Sequence, residues 1–230
     1  MSSLNVTQNL AGKEILLYGG TGFLGKVFLS LLLTHFSDIK KIHLVVRARR
    51  DRDGNVTTSS QSRFLKDIVT SQAFDPVREK HPGTQYNTFI NEKIHVVDGD
   101  VTKPFAGISD AVREKIRGAV DILINTSGVV DFNPPLDKSL DVNAFGMQNL
   151  VSLAKDLGSI PFMHTSTCYV AGDQTGQVNE INPLDFPFPK ADTLSPEHWD
   201  SEREIKECME MTKNTPNDKP PNDRARINGN

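Results

Sequence analysis

The chain has 230 residues, 37% of them hydrophobic and 24% charged, enough for one large globular domain and part of another. A formal net charge of −3 gives no reason to expect nucleic acid or an anionic membrane as partner. Its longest apolar run, Val27 to Leu33, falls well short of the ~20 residues of a transmembrane helix. Met1 to Val6 lacks the basic and apolar regions of a signal peptide, and Cys168 and Cys208 form no spaced framework, so the composition predicts a cytoplasmic protein without a disulfide staple.

Glu14 to Tyr18 is a short apolar run that stops at glycines, the pattern of a buried parallel strand. Val27, Phe28, Leu31 and Leu32 then repeat with helical spacing as far as Phe36, and a second apolar strand follows at Ile42 to Val46. Strand, helix and strand within about 35 residues form a βαβ unit, whose crossover is expected to be right-handed. Arg47 to Ser62 is polar. A helix is predicted near Arg63 to Ala73, with Phe64, Leu65, Ile68 and Val69 on one side. Ile94 to Val97 reads as the third strand and Ile122 to Ile124 as the fourth. The spacing of Leu140, Val142, Phe145, Leu150, Val151, Leu153 and Ala154 predicts a helix from about Leu136 to Leu157. A fifth strand begins at Pro161 to His164 and is expected to end in Thr165 to Gly172. The alternation predicts an α/β fold, a doubly wound parallel sheet of Rossmann type.

After Gly172 the texture changes. Asn182 to Pro189 has no clear period, and Ser195 with Pro196 opens a weakly amphipathic helix to about Met211. Asn214 to Asn230 is rich in Asn, Pro and Asp, a composition that rarely packs.

Between the first strand and helix lies Gly19-Gly20-Thr21-Gly22-Phe23-Leu24-Gly25. Gly19 permits a tight turn, Gly22 lets backbone approach a pyrophosphate, and Gly25 lets the helix pack closely on the sheet, with the helix N-terminus facing the anion. The G-x-x-G-x-x-G spacing differs from the G-x-G-x-x-G of many dehydrogenases, and glycine clusters also serve as plain turns. Placement between a strand and a helix favours dinucleotide binding. The domain boundary is accordingly drawn as residues 1–186, a dinucleotide-binding domain incomplete at its C-terminus, and 187–230, the start of an insertion or substrate region with a disordered polar tail.

Arg47 directly follows the second strand, where a guanidinium favours the 2′-phosphate of NADP and an acid would favour NAD; a solvated basic loop with Arg49 and Arg50 is the alternative. Asp100 and Val101 close the third strand, where a carboxylate can accept a hydrogen bond from an adenine amine or simply serve a turn. Asn125, Thr126 and Ser127 close the fourth strand beside the expected cofactor path, or form an ordinary turn. Asn143, expected to be buried among apolar helix residues, can bind a backbone carbonyl or a water. The hydroxyls of Thr165 to Thr167 lie where one could stabilise negative charge on a carbonyl oxygen, although most strand hydroxyls do no chemistry. The six histidines show no metal spacing, His164 is expected to point into the core or the next strand, and Cys168 reads as a small packing residue.

Together these residues resemble the extended short-chain dehydrogenase/reductase superfamily. Within it the chain is most similar to the fatty acyl-CoA reductases and thioester-reductase domains of male-sterility type, through Tyr18 to Val27, through Val130 to Leu136 with Asn143 to Gly146, and through His164 to Val170. The resemblance covers about residues 12 to 180. It implies NADPH-dependent reduction of an acyl thioester, held on coenzyme A or a carrier protein, to an aldehyde or alcohol. Thr167 matches the family's catalytic Ser/Thr, which hydrogen-bonds the carbonyl oxygen. The family also uses a Tyr with a Lys four residues later, whereas Tyr18, Tyr86 and Tyr169 are followed at that distance by Gly22, Ile90 and Asp173. Tyr18 itself stands where the family usually has Thr. The resemblance therefore implies a cofactor-binding half that is inactive alone. A non-catalytic NADP-binding redox sensor is a second reading. A sugar-nucleotide epimerase or dehydratase is a third, unsupported around Asp131 and Phe132.

Overall fold

In the computed structural model, which describes residues 5–131, 134–171, 175–180 and 200–214, a short helix α1 (Val6–Leu10) leads into strand β1 (Glu14–Tyr18). All five β1 residues are buried, Ile15 to Tyr18 as the apolar run of a central parallel strand and Glu14 beside its partners His43 and Lys40. Helix α2 (Phe23–His35) returns along the sheet and buries Leu29, Leu32 and Leu33, and β2 (Lys41–Val45) then pairs parallel with β1.

The polar stretch that follows is not a plain loop. It forms an antiparallel hairpin of β3 (Arg49–Arg50) and β4 (Val56–Thr58). Asp51 shapes its turn, one carboxylate oxygen accepting the N–H groups of Asp53 at 3.0 Å and Asn55 at 2.9 Å. Helix α3 (Ser60–Arg63) continues into a π-helical segment, Phe64–Val69, that buries Phe64, Ile68 and Val69. Leu65, expected on the same side, is 48% exposed, because the wider π turn rotates it away from the core. Helices α4 (Asp75–Lys80) and α5 (Thr84–Lys93) precede β5 (Ile94–Val97), and α6 (Asp110–Ile116) precedes β6 (Ile122–Asn125).

The helix expected from 136 to 157 is divided into α7 (Leu136–Ser139), a π-helical segment Leu140–Phe145, and α8 (Gly146–Asp156). The last sheet strand, β7 (Phe162–His164), is shorter than expected; its ladder ends at the Thr165 N–H, and Cys168–Ala171 is a 3-10 turn. Helix α9 (Ser201–Asn214) ends the described chain, while its expected start at 195–199 and the expected domain boundary at 186/187 lie outside the described residues.

The five-stranded sheet has the order β5-β2-β1-β6-β7, every pair parallel. Strand order reverses beside β1, so the carboxyl ends of β1 and β6 flank the crevice where open α/β sheets bind ligands. Alternation along β1 sends Ile15 and Leu17 to one apolar layer, with Leu29, Leu44 and Phe64, and Leu16 and Tyr18 to the other, with Val45, Leu150 and Leu153. The chain forms two compact units: Met1–Val130 with Asp141–Thr165, which holds the sheet, and Asp131–Leu140 with Ser166–Asn230, in which α7 and α9 pack on each other.

Candidate functional site

The final paired row of the sheet reads Val97, Val45, Tyr18, Asn125 and His164 across the five strands. One residue later the ladder persists as single hydrogen bonds: Val46 N–H to Val97 O at 2.9 Å, Thr126 N–H to Tyr18 O at 3.1 Å, and Thr165 N–H to Asn125 O at 2.9 Å. Beyond that edge the loops separate, and residues 19–25, 47, 100–101 and 126–127 follow the strand ends there.

Gly19 has φ +91°, and a Cβ there would lie 2.5 Å from both Thr126 C and Ser127 N. Only glycine lets the loop after β1 turn and pass against the loop after β6. Gly22 donates its N–H to Gly19 O at 2.9 Å and then serves as the N-cap of α2, without a capping side chain and without an acid in the first turn. The first turn of this 13-residue helix thus carries neither a capping side chain nor an acid of its own to offset its positive end. Gly25 is buried, and a Cβ on it would lie 2.1 Å from Gly19 O. Thr21 is half-buried, and Phe23 and Leu24 are 87% and 50% exposed. A cradle that side chains would fill, set before a positive helix terminus, fits a pyrophosphate.

The loop after β6 is internally bonded. Asn125 is fully buried; its Oδ1 accepts Ser127 N–H at 3.0 Å and Ser127 Oγ at 2.5 Å, and its Nδ2 reaches Ser127 O at 3.3 Å and His164 Nδ1 at 3.1 Å. Thr126 Oγ1 donates to Tyr18 O at 2.9 Å. These side chains build the turn beside Gly19, and Asn125 does not reach the open edge. His164, expected in the core or against the next strand, is exposed and meets that strand through Asn125.

Asn143 is exposed, not buried as expected, because the π-helical segment turns it outward. Its amide clamps the backbone of one residue: Oδ1 accepts Val129 N–H at 2.9 Å and Nδ2 donates to Val129 O at 3.1 Å. The backbone partner expected of it is present.

Arg47 and Asp100 come together, Nη1 to Oδ2 at 3.6 Å. The other Asp100 oxygen accepts Thr102 N–H at 3.0 Å and Thr102 Oγ1 at 2.9 Å, the turn role foreseen as its alternative. Asp100 N–H donates to Ala106 O at 2.9 Å, and the buried Tyr18 hydroxyl donates to the same carbonyl at 3.1 Å. Burial, and then the nearby Asp100 carboxylate, push the Tyr18 phenol well above its usual range, so it remains a neutral donor. Val101 O accepts Asn149 Nδ2 at 2.8 Å.

Sequence reasoning missed Asp98. Its carboxylate accepts Ala48 N–H at 2.8 Å, Ser60 Oγ at 2.8 Å and Arg50 Nη2 at 3.0 Å. Burial raises its pKa, but the bonds from Ala48, Ser60 and Arg50 outweigh burial and hold the carboxyl below its usual range. The only signal was an acid directly after a strand.

Thr167 lies in the second unit and not on a strand. It is exposed; its Oγ1 accepts Tyr169 N–H at 3.2 Å and its carbonyl accepts Val170 N–H at 3.3 Å, opening the 3-10 turn. Cys168, expected to pack, is exposed because it sits on that turn. Phe132 and Asn133, used in the family resemblance, and Gly172, the expected end of the fifth strand, lie outside the described residues. Among the described residues no group of His, Cys, Asp and Glu could hold a metal ion, and no helix is long and apolar enough to cross a membrane.

Residues 17–220 match the family model described as male sterility protein, an NAD-binding domain. The chain is 33% identical over 179 residues to probable fatty acyl-CoA reductase 5 of Arabidopsis thaliana, covering 77% of this chain and 35% of that protein. It is 29% identical over 219 residues to the chloroplastic fatty acyl-CoA reductase 2 of the same plant, covering 91% and 34%. It thus spans about a third of the length of these curated relatives. Among solved structures it is similar to the terminal R domain of the myxalamid biosynthetic pathway, with TM-score 0.55 and 22% identity over 90% of this chain and 47% of that one. It is also similar to the reductase domain of a non-ribosomal peptide synthetase from Mycobacterium tuberculosis, with TM-score 0.53 and 23% identity over 73% and 37%. At these identities the structural likeness shows the fold.

Proposed function

The chain belongs to the male sterility protein family of NAD-binding domains, and on that premise we propose that it is the dinucleotide-binding portion of an NADPH-dependent fatty acyl thioester reductase. The observation that carries the reading is the glycine cradle, in which a Cβ on Gly19 or Gly25 would strike backbone before the uncapped start of α2. In this reading the α2 N-terminus holds the pyrophosphate and Arg47 meets the 2′-phosphate. Asp100 accepts from the adenine amine with Val101 against the ring, and Thr126 and Ser127 form the backbone wall opposite Gly19. Asn125 and Asn143 hold that wall and the Val129 segment in shape.

NADPH held there would supply hydride for the thioester carbonyl carbon; cleavage of the carbon–sulfur bond with loss of the thiol would give an aldehyde, and a second hydride an alcohol. Thr167 is the residue proposed to hydrogen-bond the carbonyl oxygen through its hydroxyl as charge develops there. None of Tyr18, Tyr86 and Tyr169 has a lysine four residues on, so none is assigned as proton donor. The names of the relatives support an acyl-CoA substrate; a carrier-bound thioester presents the same reacting carbonyl.

The test is hydride tracing. The full-length protein carrying these residues is incubated with NADPH deuterated at the nicotinamide C4 and a long-chain acyl-CoA. Deuterium in the aldehyde or alcohol is expected; bound cofactor without any labelled product would overturn the reductase reading.

A further inference from the structure

We infer that Asp98 is a positioning residue for cofactor choice: it fixes the peptide after Arg47, so that the Arg47 guanidinium is held ready for the 2′-phosphate of NADP. The inference rests on the proposal that Arg47 selects NADP.

Arg47 and Ala48 differ sharply in surroundings. The Arg47 side chain is 64% exposed, while Ala48 is 7% exposed. Two bonds bracket the junction between them. Arg63 Nη1 donates to Arg47 O at 2.7 Å, and Ala48 N–H donates to Asp98 at 2.8 Å. Both atoms belong to the same peptide group, so its plane is pinned from two sides. Each anchor is itself held. Arg63 Nε meets Asp67 at 3.2 Å, and Asp98 also accepts Ser60 Oγ and the guanidinium of Arg50.

Asp98 thereby ties together three segments: the loop after β2, strand β3, and the start of α3. A long exposed arginine on a free loop would lose backbone and rotamer freedom on gripping a phosphate, which lowers affinity. Pinning the peptide removes the backbone part of that cost before the ligand arrives. Asp98 also engages Arg50 at 3.0 Å, while Arg47 keeps a looser pair, 3.6 Å from Asp100, that a phosphate can replace. NAD has no 2′-phosphate, so the device acts on NADP alone.

The test measures Kd for NADP+ and NAD+ by titration calorimetry with the 230-residue chain and its variants Arg47→Ala, Asp98→Asn, Arg63→Gln and Arg47→Ala/Asp98→Asn. Asp98→Asn keeps an acceptor in place but loses the charge that aligns Ala48 and Arg50. It is expected to weaken NADP+ about tenfold, the loss of one well-aligned charge-assisted hydrogen bond, and to leave NAD+ unchanged. In the double variant the Asp98 change should add nothing to Arg47→Ala. Weakening of both cofactors alike, or full NADP+ preference in Asp98→Asn when Arg47→Ala has lost it, overturns the inference and leaves the Arg47 reading standing. A wild-type chain without NADP+ preference, or preference surviving Arg47→Ala, overturns the Arg47 reading itself. Should Asp98→Asn fail to fold, Arg63→Gln decides, because it releases the same peptide from its other side.

Discussion

Arg47 and Asp100 face each other at 3.6 Å, although one follows β2 and the other follows β5. The pair is solvent-exposed on the arginine side and adds little to stability. It places a cation and an anion side by side at the open edge of the sheet, the two charges that a 2′-phosphorylated adenosine would use. Arg47→Ala is expected to leave the melting temperature within about a degree or two, as for most surface substitutions. It should weaken NADPH at least tenfold, since a charged hydrogen bond is worth ~1.5–3 kcal/mol. Raising the salt concentration should weaken NADPH binding to the wild type and do so less for the variant. Calorimetric titrations at two ionic strengths check both statements.

Gly22 and Gly25 separate binding from folding. At Gly22, φ is −76° and a Cβ would meet only Gly19 O, at 3.4 Å. Gly22→Ala is therefore expected to fold with a nearly unchanged melting temperature and to lose dinucleotide affinity, because the methyl group occupies the pyrophosphate approach. At Gly25 the same methyl would lie 2.1 Å from Gly19 O. Gly25→Ala should lose affinity and also about 1–3 kcal/mol of stability through forced backbone shifts. Thermal melts alongside cofactor titrations distinguish the two; a Gly22→Ala chain that binds normally would remove the pyrophosphate from this loop.

Asn125 is fully buried and gives Ser127 N–H and Ser127 Oγ their acceptor. Asn125→Leu strands those donors, and each buried unsatisfied group costs ~1–3 kcal/mol. Chemical denaturation should show a loss of that order at unchanged m-value. A variant as stable as the wild type would mean that water reaches the turn.

Acid should loosen the amino-terminal half of the sheet. Glu14 on β1 accepts from His43 Nε2 at 2.8 Å and pairs with Lys40 at 2.7 Å, and His43 Nδ1 lies 3.1 Å from His95 Nδ1 on β5. One proton fits between the two Nδ1 atoms, so a second charge on the pair breaks their bond. Burial, then His43, Lys115 and Lys41, lower the pKa of His95 below its ordinary 6.5. The unfolded chain thus takes up this proton more readily, and stability is full above about pH 6.5 and declines as pH falls through it. Glu14 adds to the decline at lower pH. Burial raises its pKa, but bonds from His43 and Lys40 outweigh burial and lower it from 4.5, so its contribution is present above that value and lost as pH falls through the lower folded pKa. The melting temperature of the wild type should drop between about pH 8 and pH 5, and His95→Gln should flatten the upper part of that drop. Parallel profiles for the two proteins would exclude the histidine pair as the cause.

The central βαβ unit was legible because its three signals agree: an apolar run, a glycine turn and a helical period share one stretch, Glu14 to Val45. The hairpin at Arg49 to Thr58 carried no such pattern. Its turn is made by the Asp51 carboxylate, and both its strands lie on the surface. Helices α4 to α6 escaped notice because each buries only one or two residues. The β-branched and aromatic residues after His164 read as strand, yet Thr167 caps a turn there with its own hydroxyl. At the site, Gly19, Gly25 and the Arg47 position followed from residue type and order alone. Asn125 and Asn143 stood out by residue type, but their partners, Ser127 and Val129, depend on how loops fold back, which no periodicity encodes. Asp98 was hidden for the same reason, its three partners lying on other segments.

Calorimetric titration of the wild-type chain with NADPH and NADH tests the dinucleotide site most directly. One NADPH per chain, bound about tenfold more tightly than NADH by virtue of the Arg47 contact, is the expected result. A folded chain that binds neither dinucleotide would contradict it.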